Sequence, residues 1–170
     1  MRKLILFIAT SLDGYIAGPN EQIDWLFADQ DYGYRDFYAR IDTVLMGRKT
    51  YDLSLSFGEY PYPGAAAYVF SRTPRPPDGH AQFVAGDVGA FVERLKRQPG
   101  RDIWLVGGGE IVRECLVADT IDEFVISVHP ILLGAGLALF PPGFPRRPLR
   151  LCSAQHFDSG LVQTAYARAP

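Results

Sequence analysis

The sequence is poor in cysteine: Cys115 and Cys152 are the only two in 170 residues, far apart and outside any CxxC pair. A disulfide scaffold is excluded, and both thiols are expected to be reduced and buried. Long apolar runs are also missing; none approaches the ~20 residues that a membrane span needs. The N-terminal MRKLILFIATSLDGYIAG starts like a secretion signal, but Ser11, Asp13 and Gly14 break it without a cleavage site. It reads better as a first core strand, and the expected location is the cytoplasm. Charge of one sign is absent as well. Lys and Arg number 17 against 19 Asp and Glu, a net −2, so there is no basic stripe for nucleic acid. No GxSxG elbow, Gly-Lys phosphate loop or HExxH zinc helix occurs. His80, His129 and His156 do not cluster with cysteines or carboxylates at metal-ligand spacing, so no metal site is expected.

What is present is an ordinary globular mixture, 48% hydrophobic and 21% charged, of a length that suits one domain over residues 1–170. Apolar runs at Leu4 to Ala9, Thr43 to Met46, Ala66 to Phe70, Ala81 to Ala85, Asp102 to Val106 and Glu123 to Val128 read as strands, several buried on both faces. Helical spacing fills the gaps. Tyr34, Phe37, Tyr38 and Ile41 predict a helix over Asp31 to Ile41, and Arg48 to Leu55 a short second one. Asp87 is placed to cap a third that buries Val88, Phe91, Val92 and Leu95, and Gly107 to Gly109 open a fourth. Leu149, Leu151 and Ser153 alternate, Asp158-Ser159-Gly160 turns the chain, and Leu161 to Tyr166 returns. Strands alternating with helices predict an α/β fold of three layers: a mainly parallel sheet with helices on both faces and a C-terminal antiparallel hairpin.

Three strand-to-helix or strand-to-turn junctions carry the chemistry. In Val106-Gly107-Gly108-Gly109-Glu110-Ile111 a buried strand ends in glycines and opens a helix. This is a phosphate cradle, built of free amides at a helix start, or a tight turn that needs positive φ. It is not the dinucleotide fingerprint of dehydrogenases, because Val112 stands where the last glycine belongs and His129 where the acid belongs. In Gly47-Arg48-Lys49-Thr50 two cations oppose the dipole of a helix start, at ~0.3–1 kcal/mol each, a cost that a bound anion offsets. Ser71-Arg72 follows a third strand and suits a phosphate monoester or a solvated turn. Ligands of open α/β sheets bind at the carboxyl ends of the strands, where all three junctions lie.

In this order the junctions resemble the dihydrofolate reductase superfamily. Phe7 to Gly18 resembles its opening strand and mobile loop, Asn20 to Trp25 the rest of that loop, and Val44 to Tyr51, Phe70 to Arg72 and Val106 to Ile111 its cofactor junctions. Pro130 to Pro141 resembles the loop before its final hairpin. Ser11-Leu12-Asp13-Gly14 and Leu132-Leu133-Gly134 are most similar to the riboflavin-biosynthesis reductase domain and its stand-alone relatives. The resemblance implies a dihydrofolate-reductase-like fold and an NADPH-dependent oxidoreductase, passing hydride to a small nitrogen heterocycle or a ribosylamino-pyrimidine. It implies Ala9 and Ile16 beside the nicotinamide, Gly47, Arg48, Lys49 and Thr50 on the phosphates, and Ser71 and Arg72 on the adenosine 2′-phosphate. Val106, Gly107, Gly108, Gly109, Glu110 and Ile111 would wrap the pyrophosphate. A homodimer through sheet edges is a further implication.

The substrate side departs from the family patterns. Ala65 follows Pro63-Gly64 where dihydrofolate reductases carry the arginine for the folate carboxylate, which argues against folate. Tyr15 replaces the base that riboflavin enzymes carry after Ser-Leu-Asp-Gly. Asp29 and Asp31 are candidates for the acid that protonates the substrate. Asp13, Trp25, Tyr34, Phe37 and Tyr51 are candidate substrate contacts, the aromatic ones as a wall for a flat ring. Aromatics at helical spacing equally predict core packing. A nucleotide-binding module without catalysis is the alternative to a reductase.

Overall fold

The computed structural model describes residues 1–170. Strand β1 (Leu4–Ser11) is followed by the short β2 (Tyr15–Ala17), helix α1 (Tyr34–Arg40), β3 (Ile41–Gly47), α2 (Arg48–Leu55), β4 (Ala66–Phe70) and β5 (Ala81–Val84). Helix α3 (Val88–Lys96), β6 (Asp102–Gly107), α4 (Gly109–Val117), β7 (Glu123–His129), β8 (Leu137–Ala138), β9 (Leu149–His156) and β10 (Val162–Arg168) complete the chain. One eight-stranded sheet has the order β5-β4-β3-β6-β1-β7-β10-β9, and β2 pairs with β8 beside it. The first six strands of that order run parallel, and β10 and β9 are antiparallel. This is the expected three-layer α/β architecture with its terminal hairpin.

Period-two alternation splits each central strand between two cores. Leu4, Leu6, Leu45, Ile103 and Leu105 face α3 and α4, meeting Val92, Leu95, Ile111, Val112 and Cys115. Ile5, Val44, Met46, Val69 and Trp104 face the other way, onto Phe37 of α1, Tyr51 of α2 and Tyr62. Asp87 caps α3 as its position predicts, its carboxylate accepting from the Ala90 N–H at 2.7 Å. Burying Lys96 at the end of α3 is possible because Asp122 lies 2.7 Å from its ammonium and the Thr120 carbonyl accepts from it.

Four features differ from the sequence expectations. Helix α1 begins at Tyr34 rather than Asp31, because Tyr32 and Gly33 both take positive φ and turn the chain into it. The β2–β8 pair is too short to give a periodic signal. β9 is the edge strand expected of the hairpin, but all of it is exposed, so the alternation at Leu149 and Leu151 buries neither face. Cys115 is buried, but Cys152 sits on that edge and is exposed. No helix is long and apolar enough to cross a membrane.

Candidate functional site

The carboxyl ends of β1, β3, β4 and β6 open onto one cavity of about 1260 Å³. Its floor starts at Ile8 and Ala9 of β1, and Ile16 and Ala17 of β2 close one side. Gly47, Arg48, Lys49 and Thr50 line it where β3 enters α2, and Ser71 and Arg72 where β4 ends. Val106, Gly108, Gly109, Glu110 and Ile111 line it where β6 enters α4. Every residue expected to touch the dinucleotide is therefore on this surface except Gly107, which is buried in register with Met46.

Two helices point their N-termini into this space, and neither is capped by a side chain. The amides of their first turns are left for a ligand. Gly108 caps α4 with φ 56° and ψ 143°, a conformation costly for any residue with a Cβ. Gly109 is constrained differently: a Cβ there would strike the Ala138 carbonyl and come within 3.0 Å of Pro141. The helix start is thus packed directly against the β8 segment, whose Leu137 and Ala138 line the cavity together with Pro141.

The cations are not equivalent. Arg48 pairs with Asp52, one turn along α2, at 3.0 Å. Lys49 and Arg72 are exposed and have no ion-pair partner, which leaves both free for an anion. Ser71 is buried, and its hydroxyl donates to the Thr73 carbonyl at 2.7 Å, shaping the turn that presents Arg72.

The candidate substrate residues separate from this surface. Tyr51 is 1% exposed, donates to Asp78 at 2.7 Å and packs edge-on to Phe83, so it belongs to the core. Phe37 stacks on Phe7 at 4.2 Å, and Tyr34 packs against Phe7 and Trp104. Neither lines the large cavity. Asp13 lies outside too: it accepts from Ser11 Oγ and from the Leu133 and Gly134 amides, fastening the turn after β1 to the loop after β7. The Ser11 bond and those amides hold its carboxyl below the usual range. Trp25 meets His129 edge-on at 5.3 Å and donates to the Gln22 carbonyl.

Of the candidate acids, Asp29 is exposed and accepts from the Tyr32 hydroxyl at 2.7 Å, which lowers its pKa. Asp31 accepts from the Arg35 amide at the start of α1. It also borders a second, smaller cavity of about 150 Å³, which shares Ala9 and Leu26 with the large one. Sequence reading passed over Leu26, Leu53, Tyr62 and Pro141, all of which line the large cavity. Leu53 was within reach, being one helical turn beyond Lys49. Tyr62 had one pointer, its place directly before the Pro63-Gly64 turn that leads into β4.

A parallel sheet of this order, with its cavity at the carboxyl ends and a terminal antiparallel hairpin, defines a dihydrofolate-reductase-like fold. Dihydrofolate reductase from Enterococcus faecalis, solved with NADP(H), superposes with a TM-score of 0.76 over 99% of this chain and 97% of its own, at 14% identity. The chain belongs to the RibD C-terminal domain family, whose model matches residues 2–163. A protein from Shewanella sp. PV-4 named for riboflavin biosynthesis is 32% identical, with a TM-score of 0.89 and 99% of both chains covered. The Bacillus subtilis (strain 168) protein YwjB is 41% identical over 99% of both chains.

Proposed function

We propose that this protein is an NADPH-dependent reductase acting on a small, electrophilic nitrogen heterocycle. The observation that carries this reading is the convergence of two uncapped helix N-termini and two unpaired cations, Lys49 and Arg72, on one cavity at the sheet's carboxyl edge. That arrangement suits a dinucleotide with several phosphates, and Arg72 suits the additional 2′-phosphate of NADPH. The E. faecalis enzyme of the same fold was solved with NADP(H), and family membership points to the same reaction class.

The cofactor supplies the hydride; the chain supplies position and exclusion of water. Ala9, Ile16 and Val106 give the lining apolar surface from β1, β2 and β6. Glu21, Ile23 and Leu26, from the loop after β2, line the same cavity, and a loop so placed can exclude water when it closes. Titration of the protein with NADPH and NADH, followed by nicotinamide fluorescence, tests the reading. Tight binding with preference for NADPH is expected; no binding of either overturns it.

A second reading, a nucleotide-binding module without turnover, draws on one observation: neither Asp29 nor Asp31 lines the large cavity. Oxidation of NADPH in the presence of pterins, pyrimidines or cyclic imines separates the two. We further propose a cytoplasmic homodimer, formed by pairing of β9 with the β9 of a second copy. The edge is unpaired, fully exposed and carries Leu149 and Leu151. A monomeric mass by light scattering would overturn this pairing.

A further inference from the structure

We infer that the Tyr62 hydroxyl is a substrate-binding group, and that the substrate is an uncharged flat ring bearing a hydrogen-bond acceptor rather than a phosphorylated compound. This rests on the reading of the large cavity as a reductase site. Tyr62 is 6% exposed, yet it lines that cavity. Its ring is fixed by edge-on contacts on two sides, to Trp104 at 5.3 Å and to Tyr60 at 5.5 Å. Its hydroxyl has no hydrogen-bond partner in the chain. Its oxygen is nevertheless not sealed off, since Tyr60 Oη is the one buried side-chain polar atom shut away without a partner. A nearly buried phenol held rigidly and left unpaired on a cavity wall is a donor awaiting an acceptor. Burial and the neighbouring tyrosines raise its pKa, which keeps the proton on the oxygen.

The surroundings define what that acceptor belongs to. Of the apolar residues that line the cavity with Tyr62, Val106 packs on the same core, and Ala9, Leu26 and Leu53 come from β1, the loop after β2 and α2. The lining cations are Arg48, Lys49 and Arg72, and they stand at the ends of β3 and β4, the stretch proposed for the dinucleotide phosphates. The remaining charged lining groups, Glu21, Glu110 and Glu114, are carboxylates that repel a phosphate. A substrate phosphate would have to compete with the phosphates of the dinucleotide for those same cations, or leave water unpaired. A neutral ring with one carbonyl or imine nitrogen toward Tyr62 Oη fits the same surface without that cost.

The test uses three probes on the full chain: lumazine, a flat neutral ring with carbonyls; naphthalene, of similar size without an acceptor; and uridine 5′-monophosphate. Each is titrated calorimetrically against the protein alone and against the protein saturated with NADP⁺. Lumazine is expected to bind at least about tenfold more tightly than the nucleotide. Tyr62→Phe is expected to weaken lumazine about fivefold, the worth of one hydrogen bond, and to leave naphthalene binding and Tm unchanged. Equal or tighter binding of uridine 5′-monophosphate, absence of lumazine binding, or a Tyr62→Phe protein that binds lumazine like wild type overturns the inference. Titration of NADP⁺ alone reports on the cofactor reading separately, and the lumazine arm without dinucleotide reports on Tyr62 even if that reading fails.

Discussion

The Phe27 amide donates a 3.1 Å hydrogen bond to Nε2 of His129 and so ties the loop after β2 to the end of β7. With Nε2 accepting, the ring proton sits on Nδ1, 3.2 Å from the Ser127 carbonyl. Trp25 and Phe27 pack against the same ring, at 5.3 and 4.8 Å. Protonation would place a second N–H against the Phe27 N–H and break the tie. Burial lowers the His129 pKa from its ordinary 6.5, outweighing the backbone carbonyls that favour the charged form. The folded state therefore holds this proton less well than the unfolded chain. Stability from this group is complete above pH 6.5 and is lost as pH falls below it, by at most about 1.4 kcal/mol per pH unit. Urea unfolding at pH 7.5 and pH 5 should show the loss. His129→Gln, whose side-chain carbonyl can still accept from Phe27, should flatten it; an unchanged slope would assign the effect elsewhere.

The glycine turn at the start of α4 makes a steric prediction. Gly109 has room for hydrogen only, because the Ala138 carbonyl and Pro141 occupy the place of a side chain. Gly109→Ala should push the β8 segment off the helix start and cost about 1–3 kcal/mol in chemical denaturation. Gly64→Ala is a useful contrast. Its penalty comes from φ 78° alone, since nothing lies within 4 Å of a Cβ there. Equal cavity function in Gly109→Ala and wild type would show that the β8 segment and the helix start are not coupled.

The sequence made such junctions legible because each is local: glycines, cations and hydroxyls within four residues of a strand end. The aromatic wall was not legible for a physical reason. Tyr34 and Phe37 repeat on one helix face, and a core-facing stripe produces the same spacing as a ligand-facing one. Only the partners Phe7 and Trp104, drawn from β1 and β6, show that these rings are packed inside. Tyr62 is the converse. It acquires its place by packing edge-on against Trp104, 42 positions later in the chain, a contact that no local pattern announces.

The buried Lys96 provides a test of how the α3–α4 core is closed. Its ammonium is matched by Asp122, whose carboxylate also accepts from the Leu4 amide and the Arg168 guanidinium. Lys96→Ala should cost about 3–5 kcal/mol, since it empties a packed site and leaves Asp122 without its nearest cation. Lys96→Met keeps the volume and should cost clearly less. Urea midpoints of the two variants decide the point; equal losses would mean that the broken ion pair with Asp122 dominates over packing.

Arg72 gives the sharpest test of cofactor choice, because Arg48 is already engaged by Asp52 whereas Arg72 has no partner to lose. If it meets a 2′-phosphate, the contact is charge-assisted and worth about 1.5–3 kcal/mol, or about ten- to a hundredfold in affinity. Arg72→Ala should lower NADPH affinity by that factor and leave NADH affinity nearly unchanged, since NADH carries no group there. Lys49→Ala should behave differently. Its place at the first turn of α2 suits a phosphate that both dinucleotides share, so both affinities should fall together. Fluorescence titrations of the two variants with both cofactors distinguish the roles. An Arg72→Ala protein that still prefers NADPH would move the 2′-phosphate away from the β4 turn, and Lys49 would then be the remaining unpaired cation on the cavity to examine.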